Sequence, residues 1–127
     1  MKALLDTNAL MVPEQFGVDI FSELARLGYI QCFVPTPVIR ELSYLARKAR
    51  GLDKTAARVG LALAERCQIL EGEGNADDCL ISLATRENAA VFTNDKTLKK
   101  RLFSKGITVV HLRQGRYLEI AGRSSDV

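Results

Sequence analysis

The chain has 127 residues, a formal net charge of +3 and 47% hydrophobic residues; that is the size of one domain, 1–127, with apolar material enough for a core that needs no metal or disulfide staple. No apolar run approaches the roughly 18 to 20 residues of a membrane-spanning helix, and the N-terminus MKALLDTNAL turns polar too soon for a signal peptide, so a cytoplasmic protein is expected. Three cysteines, Cys32, Cys67 and Cys79, are odd in number and contain no CxxC, which argues against zinc and for buried reduced thiols in a reducing compartment.

The first strand is expected over 2–5, ended by the turn chemistry of Asp6-Thr7-Asn8, with a loop containing Pro13 after it. A helix over 19–27 carries Ile20, Leu24 and Leu27 at helical spacing and stops at Gly28. YIQCFV, residues 29–34, reads as a strand. Thr36 is the expected cap of a helix with Pro37 at its first position. That helix runs to about 50, with Val38, Leu42 and Leu45 as its apolar stripe and Gly51 as its break. A further helix over 55–66 turns Val59, Leu61, Leu63 and its alanines inward. A short strand over 67–70 and the turn-rich EGEGN follow. Asn75 then caps a helix over 76–87 that buries Leu80, Ile81, Leu83 and Ala84. Residues 90–92 form the next strand, ended by Thr93-Asn94-Asp95. A basic helix over 96–104 is stopped by Gly106. The strand over 107–112 comes next, and YLEI is a short edge strand. A disordered tail is expected after about 120. Strands alternating with helices predict a parallel sheet covered on both faces.

Four carboxylates fall where strands end or helices begin: Asp6, Glu41, Asp77 and Asp95. In an open α/β sheet, ligands bind outside the carboxyl ends of the strands. Acids gathered there repel one another and need compensation. A hard divalent cation on oxygen ligands is the simplest form of it. Each acid alone has a plainer reading as a cap or turn residue; the recurrence carries the argument. Basic clusters surround the acids: Arg47, Lys48, Arg50, Lys54 and Arg58; then Lys96, Lys99, Lys100, Arg101 and Lys105; then Arg113, Arg116 and Arg123. Any one cluster suits a solvated helix face. Around an acidic centre they suit an enzyme that holds a polyanion near cations. The single histidine, His111, follows ITVV and reads as a strand-end residue rather than a catalytic base.

DTNAL at the N-terminus, a Glu in the helix after VPTPVI, the ADD pair opening a helix, and VFTNDKTLKKR together resemble the motifs of the PIN-domain nucleases. The likeness runs from Met1 to about Leu112. The last two motifs are similar to those of the small-subunit ribosomal RNA processing branch, and the VapC toxins share the order of acids. The resemblance implies a three-layer α/β/α sandwich with a mainly parallel sheet, and hydrolysis of RNA dependent on Mg²⁺ or Mn²⁺. It places Asp6, Glu41, Asp77 and Asp95 at the acidic positions, with Asp6, Asp77 and Asp95 as metal ligands. Asn8 and Thr93 match the polar positions that orient the acids, and Asp78 is a second acid that assists or substitutes. Lys96, Lys99 and Lys100 are expected to grip RNA phosphates. An antitoxin or a pre-ribosomal partner is implied. A homodimer is the default, with residues 59–63 as its apolar surface.

Three other classes share parts of this pattern. One is an RNA-binding domain that keeps its acids for structure. A receiver domain is disfavoured because the first strand is followed by Asp6-Thr7 rather than an acidic pair. A dehalogenase-like phosphatase needs DxD, and the third position here is Asn8.

Overall fold

The computed structural model describes residues 1–122. Its elements are β1 (Lys2–Leu5), α1 (Thr7–Phe16), α2 (Ile20–Arg26), β2 (Gln31–Pro35), α3 (Thr36–Lys48) and α4 (Gly51–Ala64), then β3 (Gln68–Leu70), α5 (Ala76–Glu87), β4 (Ala90–Phe92), α6 (Lys96–Ser104), β5 (Val109–Arg113) and β6 (Tyr117–Ile120). The strands form one sheet in the order β3-β2-β1-β4-β5-β6. The first five strands of that order are parallel, and β6 runs antiparallel to β5. β1 and β4 are apolar on both faces, and Ala3, Leu4, Leu5, Ala90, Val91 and Phe92 are all buried, as a parallel sheet covered by helices requires. Among the described residues no helix is long and apolar enough to cross a membrane.

The order of the strands locates the functional edge. From β1 the chain steps outward to β2 and β3, then returns to place β4 on the other side of β1. α1, α3 and α4 pack on one another, and α5 and α6 are joined by the Asp78–Arg101 pair. In sheets of this kind ligands bind beyond the carboxyl ends of the strands at such a reversal, here between β1 and β4. Asp6 follows β1 there, and Thr93-Asn94-Asp95 follows β4.

Several elements depart from expectation. The segment holding Pro13 is helical, not a loop. A proline inside a helix removes one hydrogen bond and crowds the preceding turn. Burial of Ala9, Leu10, Met11 and Val12 outweighs that penalty, and the helix ends soon after, at Gly17, in the left-handed region. Thr36 does not cap α3. Pro35 stands at the cap without a side-chain bond, while the Thr36 hydroxyl donates to Gly72 O at 3.2 Å and accepts from Gly72 N at 3.1 Å. Gly51 marks the break between α3 and α4 but also begins α4, four residues before the expected start. The inward face of α4 is Ala56, Ala57, Gly60 and Ala64, with Val59, Leu61 and Leu63 only half-buried. The cause is close approach: a Cβ on Gly60 would lie 3.1 Å from Leu10 O and 3.2 Å from Leu42 Cδ2. The strand expected over 29–34 starts later, because Tyr29 N donates to Leu24 O and closes α2. YLEI is the antiparallel edge strand β6. The tail expected to be disordered falls largely on 123–127, outside the described residues.

Candidate active site

Asp6 is the fixed point of the site. Its backbone N–H donates to Phe92 O at 3.0 Å, which seats it over the seam between β1 and β4. Its side chain caps α1: Oδ1 accepts from Thr7 N at 2.7 Å. Oδ2 accepts from Asn8 Nδ2 at 2.9 Å and from the Thr93 hydroxyl at 2.7 Å. A carboxylate offers about four lone-pair sites; three are taken, leaving one on Oδ1.

Asp6 is only 4% exposed. Its pKa is raised to about 6: burial pushes it up most, the bonds from Thr93 and Thr7 pull it down, and the charges of Asp77 and Glu41 add to the rise. Asp77, half-exposed in the first turn of α5, is raised as well. Burial is the main cause; Asp95, Glu41 and Asp78 add to it, and Arg101 opposes it. Asp6 therefore lies within the fields of Asp77 and Glu41, and Asp77 within those of Glu41 and Asp95, with β1, α3, α5 and the β4–α6 turn supplying the four acids.

Asp95 caps α6, its Oδ1 accepting from Leu98 N at 3.0 Å. Asp95 N donates to Thr93 Oγ1 at 3.1 Å, so buried Thr93 connects two of the acids. Asn8 Oδ1 accepts from Asn94 N at 2.9 Å, and Asn94 Oδ1 accepts from Leu112 N at 2.9 Å. That relay ties β1, β4 and β5 together at the functional edge. Asn94 was missed in the sequence, although its signal was present: Asp-Thr-Asn after β1 and Thr-Asn-Asp after β4 use the same three residue types on neighbouring strands. Among the described residues, Thr7 Oγ1 is the buried side-chain polar atom with no hydrogen-bond partner.

The other named residues are placed differently. Asp78 pairs with Arg101 at 2.6 Å and bonds Asn75 Nδ2 at 2.8 Å. Those bonds hold its carboxyl below the usual range and keep it at the margin of the cluster. Lys96 and Lys100 are exposed on α6. Lys99 is half-buried, its Nζ 2.7 Å from His111 Nδ1, and His111 Nε2 lies 3.0 Å from Glu119 Oε1. His111 therefore joins α6 to β6.

The donor set can be tested against a divalent cation. All four acids offer hard oxygen, and the raised Asp6 marks a place where added positive charge is favoured. Among the described residues no three His, Cys, Asp or Glu side chains already stand as a ready-made cage. Mg²⁺ usually keeps several waters and binds through one or two carboxylates plus substrate phosphates, and these residues fit that mode.

A parallel sheet with a reversal between β1 and β4, and acids collected at that point, defines the class. The chain belongs to the PIN-like domain family, whose model matches residues 3–115. It is 34% identical over 114 residues to ribonuclease VapC9 of Archaeoglobus fulgidus, spanning 90% of this chain and 84% of that one. It is 31% identical over 127 residues to ribonuclease VapC4 of Methanocaldococcus jannaschii, spanning 95% and 97%. Among solved structures it resembles the PIN domain endonuclease Utp24, with a TM-score of 0.75 and 25% identity over 94% of this chain and 90% of that one. A chain in the structure of VapBC2 from Rickettsia felis bound to a promoter DNA fragment shares the fold, with a TM-score of 0.65, 18% identity and coverage of 89% and 100%.

Proposed function

We propose that this protein is an endoribonuclease that cleaves RNA with the help of Mg²⁺ or Mn²⁺, and that it is the toxin of a toxin–antitoxin pair. The observation that carries the reading is Asp6: buried at the β1–β4 reversal, held by three hydrogen bonds, and raised to about 6 among other acids. The two relatives above 30% identity are both ribonucleases named VapC, which favours the toxin over an RNA-processing role. The likeness to Utp24 keeps ribosomal RNA processing as the second reading.

Asp6, Asp77 and Asp95 would hold the cation, with Glu41 completing the negative wall. When bound, the cation supplies Lewis-acid activation of water and stabilises the leaving oxygen. Asp6 gives the site its rigidity, because Thr7, Asn8 and Thr93 fix both carboxylate oxygens. Glu41, exposed on α3, positions the attacking water. Asn8 and Thr93 set the angle of Asp6. Asp78 restrains Arg101, which stands close enough to lower the pKa of Asp77. Lys96 and Lys100 grip flanking phosphates, and Lys99 does so from its place beside His111. The partners are RNA, an antitoxin and a second copy of the chain. Leu52 on α4 and Tyr44 on α3 are 61% and 55% exposed and extend the apolar surface that α4 offers a copy.

The test is cleavage of single-stranded RNA by the purified protein. Activity in Mg²⁺ or Mn²⁺ that EDTA abolishes and added metal restores is the expected result. Tight RNA binding without cleavage in either metal would favour the silent RNA-binding domain instead.

A further inference from the structure

The sequence suggests three unrelated buried thiols, and the structure corrects that for two of them. Cys79 is buried, at 4% exposure, but Cys32 and Cys67 are only half-buried. They also meet. β2 and β3 pair in parallel with Phe33 opposite Gln68. Cys32, in β2, and Cys67, just before β3, each stand one residue ahead of that pair. That places the two thiols side by side, close enough for each to shift the other's titration, Cys32 downward and Cys67 upward.

We propose that Cys32 and Cys67 are an oxidisable thiol pair, converted by a peroxide into a disulfide that ties edge strand β3 to β2. Directly opposed parallel neighbours fall within the Cα separation a disulfide needs. The two thiols are unequal. Cys67, with the nearby Arg66 charge, lowers Cys32 and so favours its thiolate, whereas the neighbouring Cys32 and burial raise Cys67 and hold its proton in place. Cys32 is also within reach of a small reagent: a cavity of about 230 Å³ is lined by Phe21, Ala25, Tyr29, Ile30, Cys32 and Arg66. The Arg66 guanidinium is held over the Phe21 ring, 4.2 Å from its centroid, which keeps positive charge beside that opening.

The chemistry balances with hydrogen peroxide as oxidant. The Cys32 thiolate attacks one peroxide oxygen, the O–O bond breaks, and the departing hydroxide takes up a proton as water. Cys32 becomes a sulfenic acid. The Cys67 sulfur attacks the Cys32 sulfur, the S–O bond breaks, and the second hydroxide leaves with the Cys67 proton. Two thiols and one peroxide give one disulfide and two waters.

The bond has a mechanical consequence. β3 is three residues long and has a single strand neighbour, β2. The disulfide would close the chain from 32 to 67, a loop containing α3, α4 and Glu41. Closing a loop of that size raises stability chiefly by restricting the unfolded chain.

The experiment compares full-length protein before and after hydrogen peroxide, followed by alkylation in denaturant. Reduced protein should take three labels. Oxidised protein should take one, on Cys79, with the peptides of Cys32 and Cys67 joined in the digest. The melting temperature should rise by roughly 5–10 °C on oxidation and return with a thiol reductant. Cys32→Ser and Cys67→Ser should each abolish the cross-link and the shift; Cys79→Ser should leave both. Three labels after oxidation, a cross-link through Cys79, or a link only between copies would overturn the pair. A Cys32–Cys67 bond that leaves the melting temperature unchanged would overturn the tether. RNA cleavage is no part of the readout, so this proposal stands or falls apart from the ribonuclease reading.

Discussion

Two threonines near Asp6 have opposite roles. Thr93 donates to Asp6 and accepts from Asp95 N, while the buried Thr7 hydroxyl has no partner among the described residues. An unsatisfied buried polar group is unfavourable by about 1–3 kcal/mol. Thr7→Val keeps the shape and removes that penalty, so it should be neutral or stabilising by up to about 2 kcal/mol. Thr93→Val strands Asp95 N and one Asp6 acceptor site, and should destabilise by about 1–3 kcal/mol. Urea denaturation of the two variants gives the comparison; equal losses would contradict it. Asp6 supplies a second residue-scale prediction. Its native pKa near 6 lies above its ordinary value of 3.8. Between those limits the native state keeps a proton that the unfolded state has released. Stability from this group is therefore full below pH 4 and is lost as pH rises through 6. In metal-free buffer, Asp6→Asn should gain on the wild type by roughly 2 kcal/mol between pH 4.5 and 7.5. The exposed ion pairs of Glu23, Glu87 and Asp78 have the opposite slope, but they are common to both proteins and cancel. Parallel stability–pH curves would show that Asp6 is not held protonated.

At the scale of elements, the turn before α5 decides where Asp77 stands. Gly72 bonds the Thr36 hydroxyl through both its N–H and its carbonyl, and a Cβ on it would collide with Cys79 Sγ in α5. Gly72→Ala should therefore destabilise by about 2 kcal/mol or more and displace Asp77. Gly74, with open space around it, tolerates alanine at about 1 kcal/mol of backbone strain. Thermal melts of both variants decide the point, and a Gly72→Ala protein as stable as wild type would contradict the account. Some elements were legible because their signals are local. Asn75 before α5 and Asp95 before α6 carry their cap chemistry in the sequence, and both helices fall at their expected bounds. The α1 helix was not legible, because proline argues against it locally and only burial of its apolar run argues for it.

Across the molecule, charge and topology were readable, and register was not. Alternating strands and helices, with acids after β1 and β4, are enough to put Asp6 and Asp95 at one sheet edge. That Cys32 meets Cys67 depends on how β2 and β3 align across two intervening helices. That Lys99 meets His111 depends on how α6 settles over β5. No short-range pattern contains either fact. The second one bears on the proposed RNA contacts: Lys96 and Lys100 are the α6 lysines exposed to solvent. Replacing both with Ala should flatten the slope of log K against log salt by roughly 1.4 on single-stranded RNA, about 0.7 for each contact. Cleavage at saturating RNA should change little, since such contacts hold ground and transition states alike. An unchanged slope would leave those lysines as solvated surface.

In the proposed function, the buried carboxylate at the β1–β4 reversal and its neighbours cleave RNA. Single-turnover cleavage of a single-stranded RNA in Mg²⁺, with binding measured in parallel, tests it most directly. Asp6→Asn and Asp95→Asn should each lose about 100-fold or more in rate while binding RNA within about threefold of wild type. Cleavage by either variant at close to the wild-type rate would contradict the claim.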